Sequence, residues 1–467
     1  MAPQKKVVVI GAGPAGYVCA IRLAQLGQQV TVVEKEFLGG TCLNVGCIPS
    51  KALIAAGALF HRIGEAAAMG ITAENVRLDV RKLVDWKSGI VAKLTGGVGG
   101  LLKNHKATVL MGQASFVDRK RIQVKSKEGT QTVEADEFVI ATGSVPIAIP
   151  GFAFDEDVVW SSTGALAPKR IPEHLVVIGG GYIGLELGMM YRRLGSKVTV
   201  IEATAGALPG QETDCVKAIE RSMKKMGIEL RTETFAQGFE RRGSKSHVKL
   251  KGKAGESEIV CDQILSTVGR RPYSEGLALD KIGLATDPKG FLKVDAQMRT
   301  SVPNVYAVGD IAGQPMLAHK GSREGLVAAA VIAGRKEAYD ARCVPAVIFT
   351  SPEMASVGLT EEQCQSKGIA CKTGSFPFAA SGRAMSLMET DGFVKVVADA
   401  KSDEVLGVHM VGPEVTELIA EAALAIEMGA TAEDLARTIH AHPTLPEVMM
   451  EAAEAVHGMA VHIFQRK

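Results

Sequence analysis

Lys6-Val-Val-Val-Ile-Gly-Ala-Gly-Pro-Ala-Gly16 decides the fold of this chain. An unbroken apolar run reads as a parallel strand buried on both faces. The glycines Gly11, Gly13 and Gly16 then open a helix. The first permits the tight turn, the second lets a phosphate reach the backbone, and the third lets helix and strand pack closely. Val30-Thr-Val-Val-Glu34 follows as a second strand ending in an acid. The pattern returns at Leu175-Val-Val-Ile-Gly-Gly-Gly-Tyr-Ile-Gly184, with Gly179, Gly181 and Gly184 in the same places. Leu26-Gly27 recurs as Leu194-Gly195, and Val30 to Glu34 as Val198 to Glu202, each displaced by 168 like Gly11 and Gly179. One such motif is weak evidence. Two copies, each with an acid 23 residues after the first glycine, mark two dinucleotide-binding units. Glu34 and Glu202 are the expected partners of a ribose diol.

Past the first unit comes Gly39-Gly-Thr-Cys-Leu-Asn-Val-Gly-Cys-Ile-Pro-Ser-Lys51. Cys42 and Cys47 would stand roughly 16 Å apart on an extended chain, whereas a disulfide needs Cα atoms within about 7 Å. The chain must therefore coil between them, and Asn44 and Gly46 tolerate turns. Ile48 to Leu53 reads as a helix start with Pro49 in its first turn, and its positive end favours thiolate. The pair reads as a redox dithiol beside a bound dinucleotide; the bland alternatives are a structural disulfide or two buried thiols. The first unit is accordingly expected to hold a redox cofactor, FAD, and the second the mobile nicotinamide nucleotide. No Arg or Lys occurs from Ala203 to Gln211, so a 2′-phosphate would meet Glu202 and no cation. That predicts NAD rather than NADP.

The 467 residues, 46% hydrophobic and 22% charged, suit an ordinary globular chain of several domains. A net charge of +2 gives no argument for nucleic acid or membrane partners. No unbroken apolar run reaches about 18 residues, so no transmembrane helix is expected. A first strand at Lys6 leaves no room for a signal peptide. Of eight cysteines only Cys42 and Cys47 are tightly spaced; Cys364 and Cys371 read as unpaired thiols, and a reducing compartment is implied.

The fold class is α/β, with two Rossmann-like dinucleotide-binding domains and a C-terminal α+β interface domain. The expected boundaries are 1–149, 150–272, 273–344 and 345–467. A helical insert is placed near 50–105, with Gly96-Gly97-Val98-Gly99-Gly100 as a flexible stretch. Glu137 to Gly143 reads as a buried strand returning to the first cofactor, and Asn304 to Asp310 as another with an acid at its carboxyl end. Ile264 to Pro272 reads as the exit from the second unit. From about 345, strands at Ala346–Thr350, Gly392–Ala398 and Val405–Val411 precede helices near 414–428 and 446–459. The apolar helix from Glu417 suits a domain core and a subunit face equally. His440-Ala-His442-Pro-Thr-Leu-Pro-Glu447 places His442 beside a carboxylate, an acid–base pair suited to a thiol; a metal site or a plain surface loop fits the bare motif too. His440 reads as structural or exposed.

Together these residues resemble the dihydrolipoamide dehydrogenases, within the wider pyridine nucleotide–disulfide oxidoreductases. The resemblance spans nearly the whole chain. It rests on the cysteine run, both glycine motifs, Thr142-Gly143-Ser144, Gly309-Asp310, Met316-Leu317-Ala318-His319 and His442-Pro-Thr. It implies FAD, NAD, central and interface domains in a homodimer. Cys47 would be the charge-transfer thiolate at the flavin and Cys42 the interchange thiol. His442, backed by Glu447, would reach Cys42 from the other subunit. Lys51 and Glu186 resemble the pair beside the flavin's reactive nitrogen. Thr41, Gly112, Thr142, Gly143, Ser144, Asp310 and Met316 to His319 match FAD-contacting positions, and Gly269 and Ala236 match NAD positions. One departure is Pro446, where the family more often has Ser.

The resemblance further implies a lipoyl-bearing protein of a 2-oxoacid dehydrogenase or glycine cleavage complex as partner. A cytoplasmic location is the simplest reading, with a processed mitochondrial matrix protein as the alternative. Three rivals stand beside it: another disulfide reductase of the group, an NADH diaphorase, and a scaffold of a larger complex. The cysteine pair and His442 argue against the second, which needs neither.

Overall fold

The computed structural model describes residues 3–253 and 255–465. Two five-stranded parallel sheets carry the repeat. In the first, the strand order is Thr108–Met111, Gln29–Glu34, Lys6–Ile10, Glu137–Ile140, Val305–Ala307. In the second it is Glu229–Arg231, Lys197–Ile201, His174–Ile178, Gln263–Ser266, Val159–Trp160. The central strands Lys6–Ile10 and His174–Ile178 are buried along almost their whole length, as helices covering both faces require. Each unit also sends out a three-stranded antiparallel sheet, Gln113–Glu134 in the first and Phe235–Cys261 in the second.

The two units differ by an insertion. Matching strands stand 168 apart at Lys6 and His174 and at Gln29 and Lys197, but 126 apart at Glu137 and Gln263. The first unit thus holds 42 extra residues after its second strand. The extra length falls in the segment that carries the helices Gly40–Val45, Cys47–Glu65 and Val80–Asn104, and so both cysteines.

Two expectations for this insert need correction. The stretch Gly96–Gly100 is not a flexible linker but lies within the helix Val80–Asn104, capped by Asp79 through the Lys82 amide. Each exposed glycine costs a helix about 1 kcal/mol. Burying Val98 and Leu102 returns roughly 1.5–3 kcal/mol per side chain and offsets most of that. Second, the helical segment Gly40–Met69 is, with a mean hydropathy of 1.5, long and apolar enough to cross a membrane by length and composition. It is broken at Gly46 (φ −142°, ψ −116°), and Lys51 within it pairs with Glu186.

Residues 273–344 return the chain to the first unit. Val305–Ala307 pairs with Glu137–Ile140, and the helix Ala318–Ile332 packs on Pro14–Gln25. Gly321 and Gly325 make that crossing close: a Cβ at 325 would stand 2.5 Å from the Ala15 carbonyl oxygen. The C-terminal region is a five-stranded antiparallel sheet covered by the helices Val415–Met428 and Glu447–Val456. Two of its strands, Glu353–Gly358 and Cys371–Pro377, escape the sequence pattern. The first is too rich in small residues to alternate clearly, and the second ends in proline. The helix Val415–Met428 packs one face into the domain core and leaves another uncovered within the subunit. Val415, Ile419 and Ala422 are buried, while Leu424 and Met428 are 63% and 75% exposed.

Candidate active site

The first glycine loop closes under strict steric limits. A Cβ on Gly11, at φ +105°, would stand 2.3 Å from the Ala141 carbonyl oxygen. One on Gly40, at φ +56°, would stand 2.6 Å from Gly13 Cα. The start of the helix Pro14–Gln25 and the start of the redox insert therefore meet backbone to backbone. Glu34 is locked in the same place, its carboxylate accepting from the Ala12 and Glu36 amides at 2.7 and 2.8 Å. The second unit repeats this detail: Glu202 accepts from the Gly180 and Thr204 amides, both at 2.7 Å. In both copies the acid is oriented before any ribose arrives; Glu202 Oε1 accepts from the Thr204 hydroxyl as well, at 2.8 Å, which leaves Oε2 with the lone pair for a ribose hydroxyl.

A single cleft runs from Glu34 and the first glycine loop to Cys42, Cys47 and Lys51. Gly11, Gly13, Thr41, Gly112, Thr142, Gly143, Ser144, Asp310, Met316, Leu317 and Ala318 all line it. Gly16 does not: it sits behind the loop, where a Cβ would reach 2.0 Å from the Gly11 oxygen. His319 also lies outside the lining, its Nε2 bonded to the Pro345 carbonyl at 2.8 Å. Ala236 lies in the antiparallel excursion of the second unit, packed against the cluster around Phe152. Gly269, at φ +127°, opens the turn into the strand Arg270–Pro272.

The cysteine segment coils more tightly than a turn: Gly40–Val45 is helical, and Asn44 Nδ2 donates to the Leu38 and Gly40 carbonyls at 2.9 Å. Gly46 then breaks the chain so that Cys47 begins the next helix. Both cysteines are thiols, and they share a hydrogen bond that polarises them in opposite directions. The bond from Cys42 lowers the Cys47 pKa to about 7; Lys51 and the helix amide add to it, against burial and Glu186. The same bond, then burial and the Cys47 charge, raise Cys42 well above the ordinary thiol range. The pair is thus one thiolate, Cys47, facing one thiol, Cys42. In the reduced protein, iodoacetamide trapping of Cys47 is expected to rise with a midpoint near pH 7, since thiolate persists above the pKa and is lost below it. Lys51→Met removes a lowering charge and should move that midpoint upward, which peptide mapping at a pH series measures.

Lys51 Nζ meets Glu186 Oε2 at 2.8 Å, and Glu186 Oε1 accepts from the Phe349 amide at 2.9 Å. Glu186 lies on the helix Tyr182–Arg193, whose first turn follows the second glycine loop. Tyr182, Ile183, Glu186 and Leu187 of that helix wall the first cleft. The two nucleotide units therefore share a wall.

Three positioning groups go beyond the sequence reading. Arg270 donates to the Ser144 hydroxyl at 2.8 Å and to its carbonyl at 2.7 Å, while that hydroxyl donates to Asp310. Thr142 is held by the Tyr273 carbonyl. Lys320 and Glu324, both buried, pair at 2.8 Å and hold the Asp310 loop through the Gly313 carbonyl and the Gly309 amide. Burial raises the Glu324 carboxyl above its usual range, against Lys320 and the amide. A Lys and Glu four apart in an apolar helix is the one signal that points to this last pair.

His442 Nδ1 lies 2.8 Å from Glu447 Oε1, and Glu447 Oε2 accepts from the Thr444 amide at 2.8 Å. Burial pushes the Glu447 carboxyl up, but the Thr444 amide and His442 outweigh it and leave it below the usual range. Pro446 heads the helix Glu447–Val456 without disturbing this pair. His440 turns instead to Glu421 at 2.8 Å, so the two histidines diverge. Among the described residues no group of His, Cys, Asp and Glu is placed to hold a metal. The His442 side chain is 81% exposed, outside the cleft that holds Cys42.

The glycine cradles, the two locked acids and the continuous cleft to Cys47 fit FAD in the first unit, and the second cradle fits NAD. Comparison with known proteins agrees. The family model described as pyridine nucleotide-disulphide oxidoreductase matches residues 5–325, and that of its dimerisation domain matches 344–453. A dihydrolipoyl dehydrogenase of Thermus scotoductus is 50% identical over 463 residues, 98% of this chain and 99% of that protein. One of Bacillus subtilis is 50% identical over 461 residues, 98% of both. The crystal structure of LpdA from Mycobacterium tuberculosis superposes with a TM-score of 0.90 at 28% identity, covering 96% of this chain and 99% of that one. An HOCl-induced flavoprotein disulfide reductase, RclA of Escherichia coli, gives 0.87 at 26%, covering 96% and 99%. With a dimerisation domain, two nucleotide cradles and a paired thiol, the chain belongs to the pyridine nucleotide–disulphide oxidoreductase family, in its FAD- and NAD-dependent dihydrolipoyl dehydrogenase branch.

Proposed function

We propose that this enzyme oxidises dihydrolipoamide carried on a partner protein, and that Cys42 and Cys47 perform the exchange. The polarised pair carries this reading: a thiol and a thiolate held against a dinucleotide cleft. Starting from the Cys42–Cys47 disulfide, one dihydrolipoamide thiol gives its proton to His442 of the second subunit and attacks Cys42 Sγ. The Cys42–Cys47 bond breaks and Cys47 leaves as thiolate, which its pKa of about 7 favours. The second lipoyl thiol then releases its proton to solvent and attacks its own neighbour's sulfur, the bond to Cys42 breaks, and Cys42 takes up the proton held on His442. The product is cyclic lipoamide and the reduced pair. When bound, FAD and NAD supply the two-electron path from that pair to the nicotinamide. Lys51 and Glu186 fix the cleft floor, Glu447 orients His442, and Glu202 holds the NAD ribose. Residues 1–149, 150–272, 273–344 and 345–467 serve as FAD, NAD, central and interface domains, in the cytoplasm.

Steady-state assays test substrate and nucleotide together. Turnover is expected with NADH and lipoamide, with NADPH at least roughly 10²-fold poorer because Glu202 lacks a nearby cation. Turnover confined to NADPH and glutathione disulfide would overturn both assignments.

A further inference from the structure

The helices Cys47–Glu65 and Tyr182–Arg193, which hold Lys51 and Glu186, meet a second cavity at their far ends. It measures about 600 Å³ and lies against the C-terminal domain. Its wall carries four cations, Arg62, Arg192, Arg193 and Lys225, against the carboxylates of Glu65, Glu389 and Asp391. Most of these charges have ordinary partners. Arg62 lies 3.5 Å from Glu389, and Lys225 lies 2.7 Å from Asp391. Arg192 donates to the Met226 and Ser196 carbonyls, which a cation at a helix C-terminus does.

Arg193 is different. Its Nη2 donates to the Ser351 hydroxyl, no carboxylate of the described residues lies within ion-pair distance, and its Nε is buried without an acceptor. Burial holds its pKa below the usual arginine range. A desolvated guanidinium gains from an anion that reaches its remaining Nη hydrogens from the cavity side, and phosphate oxygens suit such donors.

We propose that this cavity is an effector site for a phosphate group, free or as a small organic ester, anchored by Arg193. Arg62 and Lys225 can exchange their partly exposed carboxylates for the ligand, and the hydroxyl of Thr390 also lines the space. Eleven helical residues separate Lys51 from Arg62 and seven separate Glu186 from Arg193, or about 16 and 10 Å along the axes. An occupant would therefore clamp the two helices that carry the Lys51–Glu186 pair.

Isothermal titration of the FAD-loaded dimer, with NAD⁺ saturating so that the nucleotide sites are filled, decides the matter. Inorganic phosphate and glycerol phosphate are the two probes. Saturable binding, one per subunit, is expected, and Arg193→Gln should weaken it by at least about tenfold, the loss of a charge-assisted pair. Tighter binding of glycerol phosphate assigns the site to an ester; equal binding assigns it to free phosphate. Should Arg193→Gln fail to fold, Arg62→Gln with Lys225→Gln reads the same loss. No saturable heat, or unchanged affinity in the variants, overturns the proposal.

Discussion

Cys42→Ser is expected to cut dihydrolipoamide turnover below about one-thousandth of the parent rate, because no other group forms the mixed disulfide. The variant should fold normally. Cys42 is half-buried in a short surface helix, and serine replaces sulfur at little change in volume. Its partner responds in a way that separates a chemical role from a structural one. Without the thiol donor that chiefly lowers it, Cys47 should titrate at higher pH. A serine hydroxyl in the same place donates too and so recovers part of the shift, whereas Cys42→Ala recovers none. Alkylation midpoints in the order parent, Ser, Ala, from low to high, are the expected result. Retained lipoamide turnover in Cys42→Ser would refute the assignment of the exchange to this cysteine.

His442→Gln is expected to lower turnover by roughly 10²-fold or more, the usual value of a positioned general base. The imidazole is solvent-exposed within its own subunit and held in one orientation only by Glu447 and the Thr444 amide behind it. Such a built but unemployed pair suits a site completed by a second copy, as the dimerisation domain allows. A mixed dimer tests this directly. In a Cys42→Ser with His442→Gln heterodimer, one site carries both lesions and the other carries none. Random re-association of two inactive homodimers should restore about a quarter of the parental activity, since half the dimers are mixed and each holds one intact site. No recovery on mixing would place His442 and Cys42 of one subunit in the same site.

Much of the fold and the site is legible in the sequence, for an identifiable reason. The features that sequence exposes are backbone necessities and short-range chemistry. Gly11, Gly40 and Gly179 stand where a Cβ has no room, and Glu34 and Glu202 end strands whose register the hydrophobic runs determine. His442 and Glu447 are five residues apart, close enough for a loop to join them. What stayed hidden depends on distant pairing. Arg270 finds Ser144 across 126 residues, and Glu186 finds Lys51 across 135; only the family resemblance placed the second pair together. The helix through Gly96–Gly100 escaped because glycine-rich composition reads as flexibility, and only tertiary burial of Val98 and Leu102 reverses that. The strand Val305–Ala307 lies next to Glu137–Ile140 for the same kind of reason.

The 42-residue insertion has a kinetic meaning. Both units present the same cradle, with the same locked acid and the same glycine turn. Among the described residues, the first is lined in addition by Thr41, Cys42 and Lys51 of the insertion and by Met316 to Ala318. A dinucleotide there would be held by segments that have no counterpart beside Gly179 and Gly181 among the described residues. Differences between related complexes reside mainly in escape rates. One duplicated fold thereby yields a resident and a visitor: a prosthetic group that stays through many turnovers and a carrier that departs after each.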